Sequence, residues 1–192
     1  MRRFAAVAFA AAALVTSAGS ASAFFLFDAQ PAQPSYSADP NAHLQVAPIP
    51  REIVPFHGYA PGTVVVSTSE RRLYYVLGGG QAVRYGIGVG RPGFEWAGTK
   101  TVARKAEWPD WRPPSQMLRR RPDLPRYMPG GVDNPLGARA MYLGGSLFRI
   151  HGSNEPDTIG QAVSSGCIRM TNEDVMDLYE RVRVGTKVVV LR

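Results

Sequence analysis

The feature that most constrains this chain is its rhythm from residue 61 onward. Short runs of β-branched and aromatic residues follow one another, and a single long segment has a helical period. Residues 63–67 (TVVVS), 72–77 (RLYYVL) and 82–89 (AVRYGIGV) read as three strands, the last two joined through Gly78-Gly79-Gly80. Further strands are expected over 100–106, 138–143 and 146–151, and a closing strand over 187–191 (KVVVL). Residues 171–183 are the one convincing helix. Val175, Leu178, Tyr179 and Val182 recur there at helical spacing behind a capping pair, Thr171 and Asp174, and Gly185 ends it. Residues 108–129 are dense in Pro, Trp and Arg and read as loop, with one short helix near 115–120. No repeat has a solenoid period. The expected fold is mainly β: a small antiparallel β-sandwich or barrel with one or two helices.

The first residues have another character. Arg2 and Arg3 precede an apolar stretch from Phe4 to about Val15, and Ala21-Ser22-Ala23 closes it with the pattern of a cleavable export signal. The apolar core is too short to span a bilayer, which takes about 20 residues. Three regions are therefore expected: a signal peptide over 1–23, a Pro/Ala-rich linker over 24–56, and a folded domain over 57–192. Loss of Arg2 and Arg3 takes the formal charge from +7 to +5. A modest positive balance suits an anionic polymer of the cell envelope. Nucleic acid is disfavoured by export and by the scatter of the basic residues, whose only run is Arg119-Arg120-Arg121. No His/Cys/carboxylate cluster has metal spacing, and no glycine-rich loop leads from a strand into a helix, so no metal and no cofactor is expected.

Cys167 is the one cysteine. Structural cysteines of exported proteins come in pairs, so a lone thiol is a buried filler, an intermolecular partner or a nucleophile. A thiol nucleophile needs a base, a group to orient the base, and amide donors for the developing oxyanion. Of the three histidines, His43 lies in the linker and His57 before the first strand. His151 ends a core strand, where a loop can return Cys167 to it. Ser164-Ser165-Gly166-Cys167 makes a tight turn whose amides can converge, and it is expected to lead directly into the 171–183 helix, whose positive end would favour a thiolate. The bland alternative is a buried cysteine behind a capping serine loop.

The segment from His151 to Met170 (HGSNEPDTIGQAVSSGCIRM) resembles the active-site motif of the L,D-transpeptidase family, the YkuD or ErfK/YbiS type: His-Gly, a spacer, then Ser-x-Gly-Cys-x-Arg/Asn. Residues 60–192 carry the resemblance, including VVVSTSERRLYYVLGGGQAVRYGIGVGR and the PGGVDNPLGARAMYL segment over 129–143. It implies an enzyme of the periplasm or cell envelope. Cys167 would form a thioester with a peptidoglycan tetrapeptide stem, releasing D-alanine, and pass it to an amine, giving a 3→3 cross-link or attachment of a protein such as an outer-membrane protein. It implies His151 as base, the Gly152 carbonyl as its orienter, and the amides around Gly166 and Cys167 as oxyanion hole. It also implies a β-lactam such as a carbapenem as inhibitor. Many relatives have a second His where Ser165 stands, so Ser165 is expected to shape the loop. Arg169 would clamp a substrate carboxylate or, in the plainer reading, pair with Glu173. Tyr142 would line the substrate cleft or be a plain core aromatic, Ser164 would line the cleft, and Trp108, Trp111 and Tyr127 would form a lid or a plain apolar patch. Ser153 and Asn154 are expected to hold the loop after His151. The alternatives are a cysteine peptidase of wall peptides, disfavoured because its Cys usually precedes its His, and a non-catalytic wall-binding domain.

Overall fold

The structure, a computed structural model, describes residues 49–192. The expected signal peptide, most of the expected linker and His43 lie outside the described residues. In chain order the elements are β1 (Glu52–Pro55), β2 (Val64–Ser67), β3 (Arg72–Val76), β4 (Gln81–Gly86), β5 (Val89–Gly90), β6 (Gly98–Glu107), α1 (Ser115–Arg120), β7 (Arg139–Leu143), β8 (Arg149–His151), β9 (Ala162–Ser164), β10 (Ile168–Arg169), α2 (Asn172–Arg181) and β11 (Lys187–Leu191). Nine strands form one mainly antiparallel sheet, in the order β1-β4-β3-β2-β11-β6-β7-β8-β10. β5 and β9 pair separately and in parallel.

The closing strand is the joint of this sheet. β11 runs parallel to β2 on one side and antiparallel to β6 on the other, so it ties the first hairpins to the half that carries β7, β8 and β10. β6 is long enough to serve both halves: Gly98 to Thr101 pair with β11, and Val102 to Glu107 pair with β7. Its register shifts between Val102 and Arg104, and an extra residue in a strand bends it and raises its twist. The main core draws on strands from both halves of the sheet and on α2. Val64, Val66, Leu73, Tyr85, Met141, Ile150, Met170, Val175, Leu178 and Val188 are buried together there. At roughly 1.5–3 kcal/mol for each large apolar side chain removed from water, this cluster is the main stabiliser.

The run TVVVS does not alternate because β2 is covered on both faces. Val64 and Val66 enter the main core, while Val65 joins Tyr74, Val76 and Ala82 in a second cluster under Val54, Phe56 and Tyr59. That second cluster draws on Val54 and Phe56, which precede the expected domain start at 57. Residues 52–55 form β1, which pairs with β4 and covers what would otherwise be its open edge. Just before it, Arg51 reaches Asp174 and Asp177 of α2 at 3.8 and 3.4 Å.

Two further expectations need correction. Residues 82–89 are not one strand: β4 ends at Gly86, and β5 leaves the sheet to pair with β9. Gly88 is the junction, exchanging backbone hydrogen bonds with Arg169, and a Cβ there would stand 3.0 Å from the Thr158 carbonyl oxygen. The strand expected over 146–151 is limited to Arg149–His151, because the Ser146 hydroxyl donates to the Leu143 carbonyl and makes a turn of residues 143–146. The helix does start as expected, with the Thr171 hydroxyl accepting from the Asp174 amide.

The Pro-, Trp- and Arg-rich insertion has a buried anchor that its composition hides. Asn134 is 1% exposed and donates to the carbonyls of Pro109, Met128 and Pro129, while its side-chain oxygen accepts from the Leu136 amide. One amide group thus closes both ends of the insertion. Asn134→Ala is expected to lower unfolding stability by about 2 kcal/mol, since it orphans the buried Pro109 carbonyl and the buried Leu136 amide; denaturant unfolding that shows no loss would refute this account of the loop.

Candidate active site

The geometry follows from one parallel pair of strands. β8 and β10 are in register with Ile150 opposite Ile168 and His151 opposite Arg169. Ile150 and Ile168 are buried in the core, so their neighbours His151, Arg149 and Arg169 take the other face of the sheet. Continuing the alternation one residue back puts Cys167 opposite Arg149 on that same face. From strand spacing and rise, Cys167 and His151 are then diagonal neighbours with Cα atoms roughly 8 Å apart, within reach of two facing side chains.

His151 is 4% exposed, and its Nδ1 lies 2.5 Å from the Gly152 carbonyl oxygen. A carbonyl can only accept, so Nδ1 carries the proton and the neutral ring keeps the lone pair on Nε2. Gly152 must be glycine for this: a Cβ would run into Asn172 Oδ1, which accepts from the Ala138 amide and links α2 to the start of β7. Burial pushes the pKa of His151 down to about 3; Arg169 and then Arg149 add to the effect, and the Gly152 hydrogen bond opposes it. The ring is therefore neutral throughout the physiological range. Its NMR signals, assigned with His151→Gln, are expected not to titrate between pH 8 and 5; an ordinary midpoint near 6.5 would refute the sealed site. The unfolded ring takes up a proton below about 6.5 while the folded ring does not until about 3. This group therefore removes stability as the pH falls through that window.

Cys167 is half-buried, and its sulfur approaches the Leu147 carbonyl at 3.9 Å. The sulfur's one hydrogen-bond contact among the described residues is that carbonyl and not His151; unliganded sites commonly show such loose geometry. The turn that presents the thiol is held from behind. The buried Ser164 hydroxyl donates to the Cys167 carbonyl at 2.6 Å and accepts from the Gly166 amide at 3.1 Å. Ser165 Oγ accepts from Arg91 Nη1 at 3.0 Å, and Trp96 Nε1 donates to the Gly166 carbonyl at 2.7 Å. Trp96 stacks on Phe148 with ring centroids 4.6 Å apart, and Phe148 lies where a Gly166 Cβ would go. With φ of 102°, Gly166 also adopts backbone that other residues avoid.

Several expected roles change. Ser164 holds the loop and does not line the cleft, because both hydrogen-bonding capacities of its hydroxyl are turned inward. The Gly166 amide is likewise committed to the Ser164 hydroxyl. The turn does not enter α2 directly: β10 intervenes, and a helix end acts only over about one turn. Arg169 pairs with Glu155 at 2.8 Å and not with Glu173, which faces Arg51. Tyr142 does stand on the His151 face, in register with Arg149. Ser153 and Asn154 hold the following loop, through the Glu155 amide and the Asp133 carbonyl. Trp111 is buried against the insertion, whereas Trp108 and Tyr127 are exposed. Arg91, Trp96 and Phe148 were not legible as site residues: Arg91 and Trp96 lie 74 and 70 residues before the groups they bind, and nothing in the sequence around Phe148 ties it to the Gly166 turn.

No group of three His, Cys, Asp or Glu among the described residues is placed to hold a metal. The profile of the YkuD family, the L,D-transpeptidase catalytic domain, matches residues 61–190. A probable L,D-transpeptidase, ErfK/SrfK of Escherichia coli K12, is 41% identical over 137 residues, which cover 67% of this chain and 43% of that protein. The chain thus spans under half the length of that relative. A crystal structure from Brucella melitensis, named a probable carnitine operon oxidoreductase, is 47% identical and covers 79% of this chain and 99% of its own, with a TM-score of 0.52. L,D-transpeptidase 3 of Mycobacterium tuberculosis, solved with a faropenem-derived adduct, shares the fold at a TM-score of 0.54 and 18% identity, over 68% of this chain and 60% of its own.

Proposed function

The chain belongs to the L,D-transpeptidase catalytic domain family, and on that premise we propose that it is a cysteine acyltransferase acting on peptidoglycan stems. The observation that carries the reading is the pairing of β8 with β10. It supports the reading by putting the lone thiol and, among the described residues, the one buried imidazole on the same sheet face, with Nδ1 pinned to the Gly152 carbonyl and the Nε2 lone pair free to serve as base in the proposed reaction.

In the proposed reaction the Cys167 thiol turns from the Leu147 carbonyl and gives its proton to His151 Nε2. The sulfur attacks the carbonyl between the third and fourth residues of a tetrapeptide stem, forming the C–S bond. The Cys167 amide faces the resulting oxyanion. Collapse breaks the C–N bond, His151 returns the proton to the departing amine of D-alanine, and a thioester remains. An amine, such as the side-chain amine of another stem's diamino acid, then attacks the thioester, loses its proton through His151, and restores the thiol. A protein amine or water fits the same chemistry. The expected export signal would put this reaction in the cell envelope.

The name of the Brucella relative raises an oxidoreductase reading. The described residues do not favour it, since the strand that leads into α2 does so through Met170-Thr171, with no glycine-rich turn for a dinucleotide. Incubation with tetrapeptide muropeptides, followed by mass spectrometry, tests the proposal. The expected products are a Cys167 adduct that has lost D-alanine, followed by cross-linked stems. Trimmed stems alone would make the protein a hydrolase, and unchanged stems would refute acyl transfer. A carbapenem, which presents a strained amide to the same thiol, is expected to leave a covalent adduct on Cys167.

A further inference from the structure

The sheet face beside Cys167 carries two guanidinium groups that lack a counter-ion. Arg104 of β6 and Arg149 of β8 are both in register with Tyr142 of β7. Their guanidinium carbons lie 3.6 and 5.3 Å from its ring centroid. Arg51, Arg84, Arg139, Arg169 and Arg181 each reach a carboxylate. Arg104 and Arg149 reach none among the described residues. Arg149 Nε is sealed from solvent with no hydrogen-bond partner among the described residues. Its Nη1 donates to the Leu147 carbonyl at 3.2 Å, the same oxygen that the Cys167 sulfur approaches at 3.9 Å. Guanidinium and thiol are thus neighbours across one carbonyl.

Two like charges held against one ring repel each other, and the face of the ring offsets only part of that. A bound anion relieves the rest. The planar fork of an arginine fits a carboxylate in particular, through two parallel N–H donors. Arg169, the side chain whose sequence position pointed to this task, is already engaged by Glu155.

We propose that Arg149, supported by Arg104 and Tyr142, is the subsite that receives a carboxylate of the acyl donor lying within one residue of the scissile bond. The inference rests on the acyl-transfer reading above. The carboxylate of the departing terminal residue is only two bonds beyond the leaving nitrogen, and that short reach matches a guanidinium and a thiol that share one carbonyl. The free side-chain carboxylate of the diamino acid offers the same chemistry from the other side of the bond. In either case the enzyme selects donors that carry a free acid next to the bond it breaks. A seated carboxylate also screens the positive field that opposes protonation of His151.

Single-turnover acylation of Cys167 by synthetic tetrapeptides, followed by mass spectrometry, tests this. Three donors are compared: the free acid, its C-terminal carboxamide, and the peptide amidated on the diamino acid's side-chain carboxylate. The wild-type protein is expected to use one of the amides roughly 10- to 100-fold less efficiently than the free acid, the range for a charge-assisted hydrogen bond. Which amide suffers identifies the source of the carboxylate. Arg149→Gln is expected to bring the free acid down to the rate of that amide, and Arg149→Lys to restore only part of the difference. Arg183→Gln, an exposed substitution of equal charge change, is expected to leave the ratio intact. Where Arg149→Gln melts early, the exposed Arg104→Gln takes its place, with a smaller fall in the ratio expected. A ratio unchanged in both variants, or no discrimination by the wild type, overturns the subsite alone. Failure of every donor to acylate wild-type Cys167 overturns acyl transfer, and the subsite with it.

Discussion

Cys167→Ala is expected to abolish acyl transfer, with loss of turnover on the order of 10⁴-fold or more, as when a nucleophile that works as a unit with its base is removed. Nothing else among the described residues can replace it. The adjacent hydroxyls of Ser164 and Ser165 are occupied, one by the Cys167 carbonyl and the Gly166 amide, the other by Arg91. Cys167→Ser is the sharper variant. It keeps the turn and its hydrogen bonds, yet its hydroxyl faces a base whose imidazolium is disfavoured by burial and by Arg169. A serine needs a stronger base than a thiol does, so Cys167→Ser is also expected to be inactive. His151→Gln is expected to lose nearly as much as Cys167→Ala, and the double variant to lose little more than either, because the two act as one unit. The readout is release of D-alanine from tetrapeptide stems. Turnover of Cys167→Ala within tenfold of wild type would sink the mechanism.

The second large effect is structural. Gly152→Ala is expected to destabilise the domain by about 3 kcal/mol or more, or to prevent folding. The added methyl would collide with Asn172 Oδ1 and stand 3.1 Å from the Ala138 amide nitrogen and from Val175 Cγ1. Three parts meet there: the start of α2, the start of β7, and the carbonyl that pins His151. Relief of the overlap breaks the Asn172–Ala138 hydrogen bond or tilts the Gly152 carbonyl; the first costs stability and the second misplaces the base. Gly144→Ala is the control. Its added methyl would meet nothing closer than 3.6 Å, and its backbone is not in the left-handed region. Unfolding midpoints that fall equally in the two variants would refute the account given for Gly152.

The two effects are separable because the domain's packing and its proposed chemistry lie on opposite faces of the same strands. Along β8, Ile150 points into the core and His151 away from it. Along β10, Ile168 is buried while Arg169 faces outward with its ion pair to Glu155. A substitution at Ile150 or Ile168 is therefore expected to act through packing, and one at Cys167 or His151 through chemistry.

The sequence by itself determined the local elements and singled out Cys167 and His151 as the candidate pair. Strand runs such as TVVVS and KVVVL, the helix with its Thr171 cap, and the lone Cys167 with His151 at a strand end were all legible. Each rests on interactions between residues close in the chain, or on the scarcity of a residue type. Only the tertiary structure decided what surrounds that pair. That β11 inserts between β2 and β6, that Gly88 bridges to Arg169, and that β10 separates the thiol from α2 all depend on pairings between distant segments. The same holds for the roles of Ser164, Arg169 and Arg149. Ser164 is turned inward by the Gly166 backbone, Arg169 is claimed by Glu155, and Arg149 is left without a carboxylate. Which partner a hydroxyl or guanidinium meets is set by distances across the sheet, and those exist only once the strands have found their register.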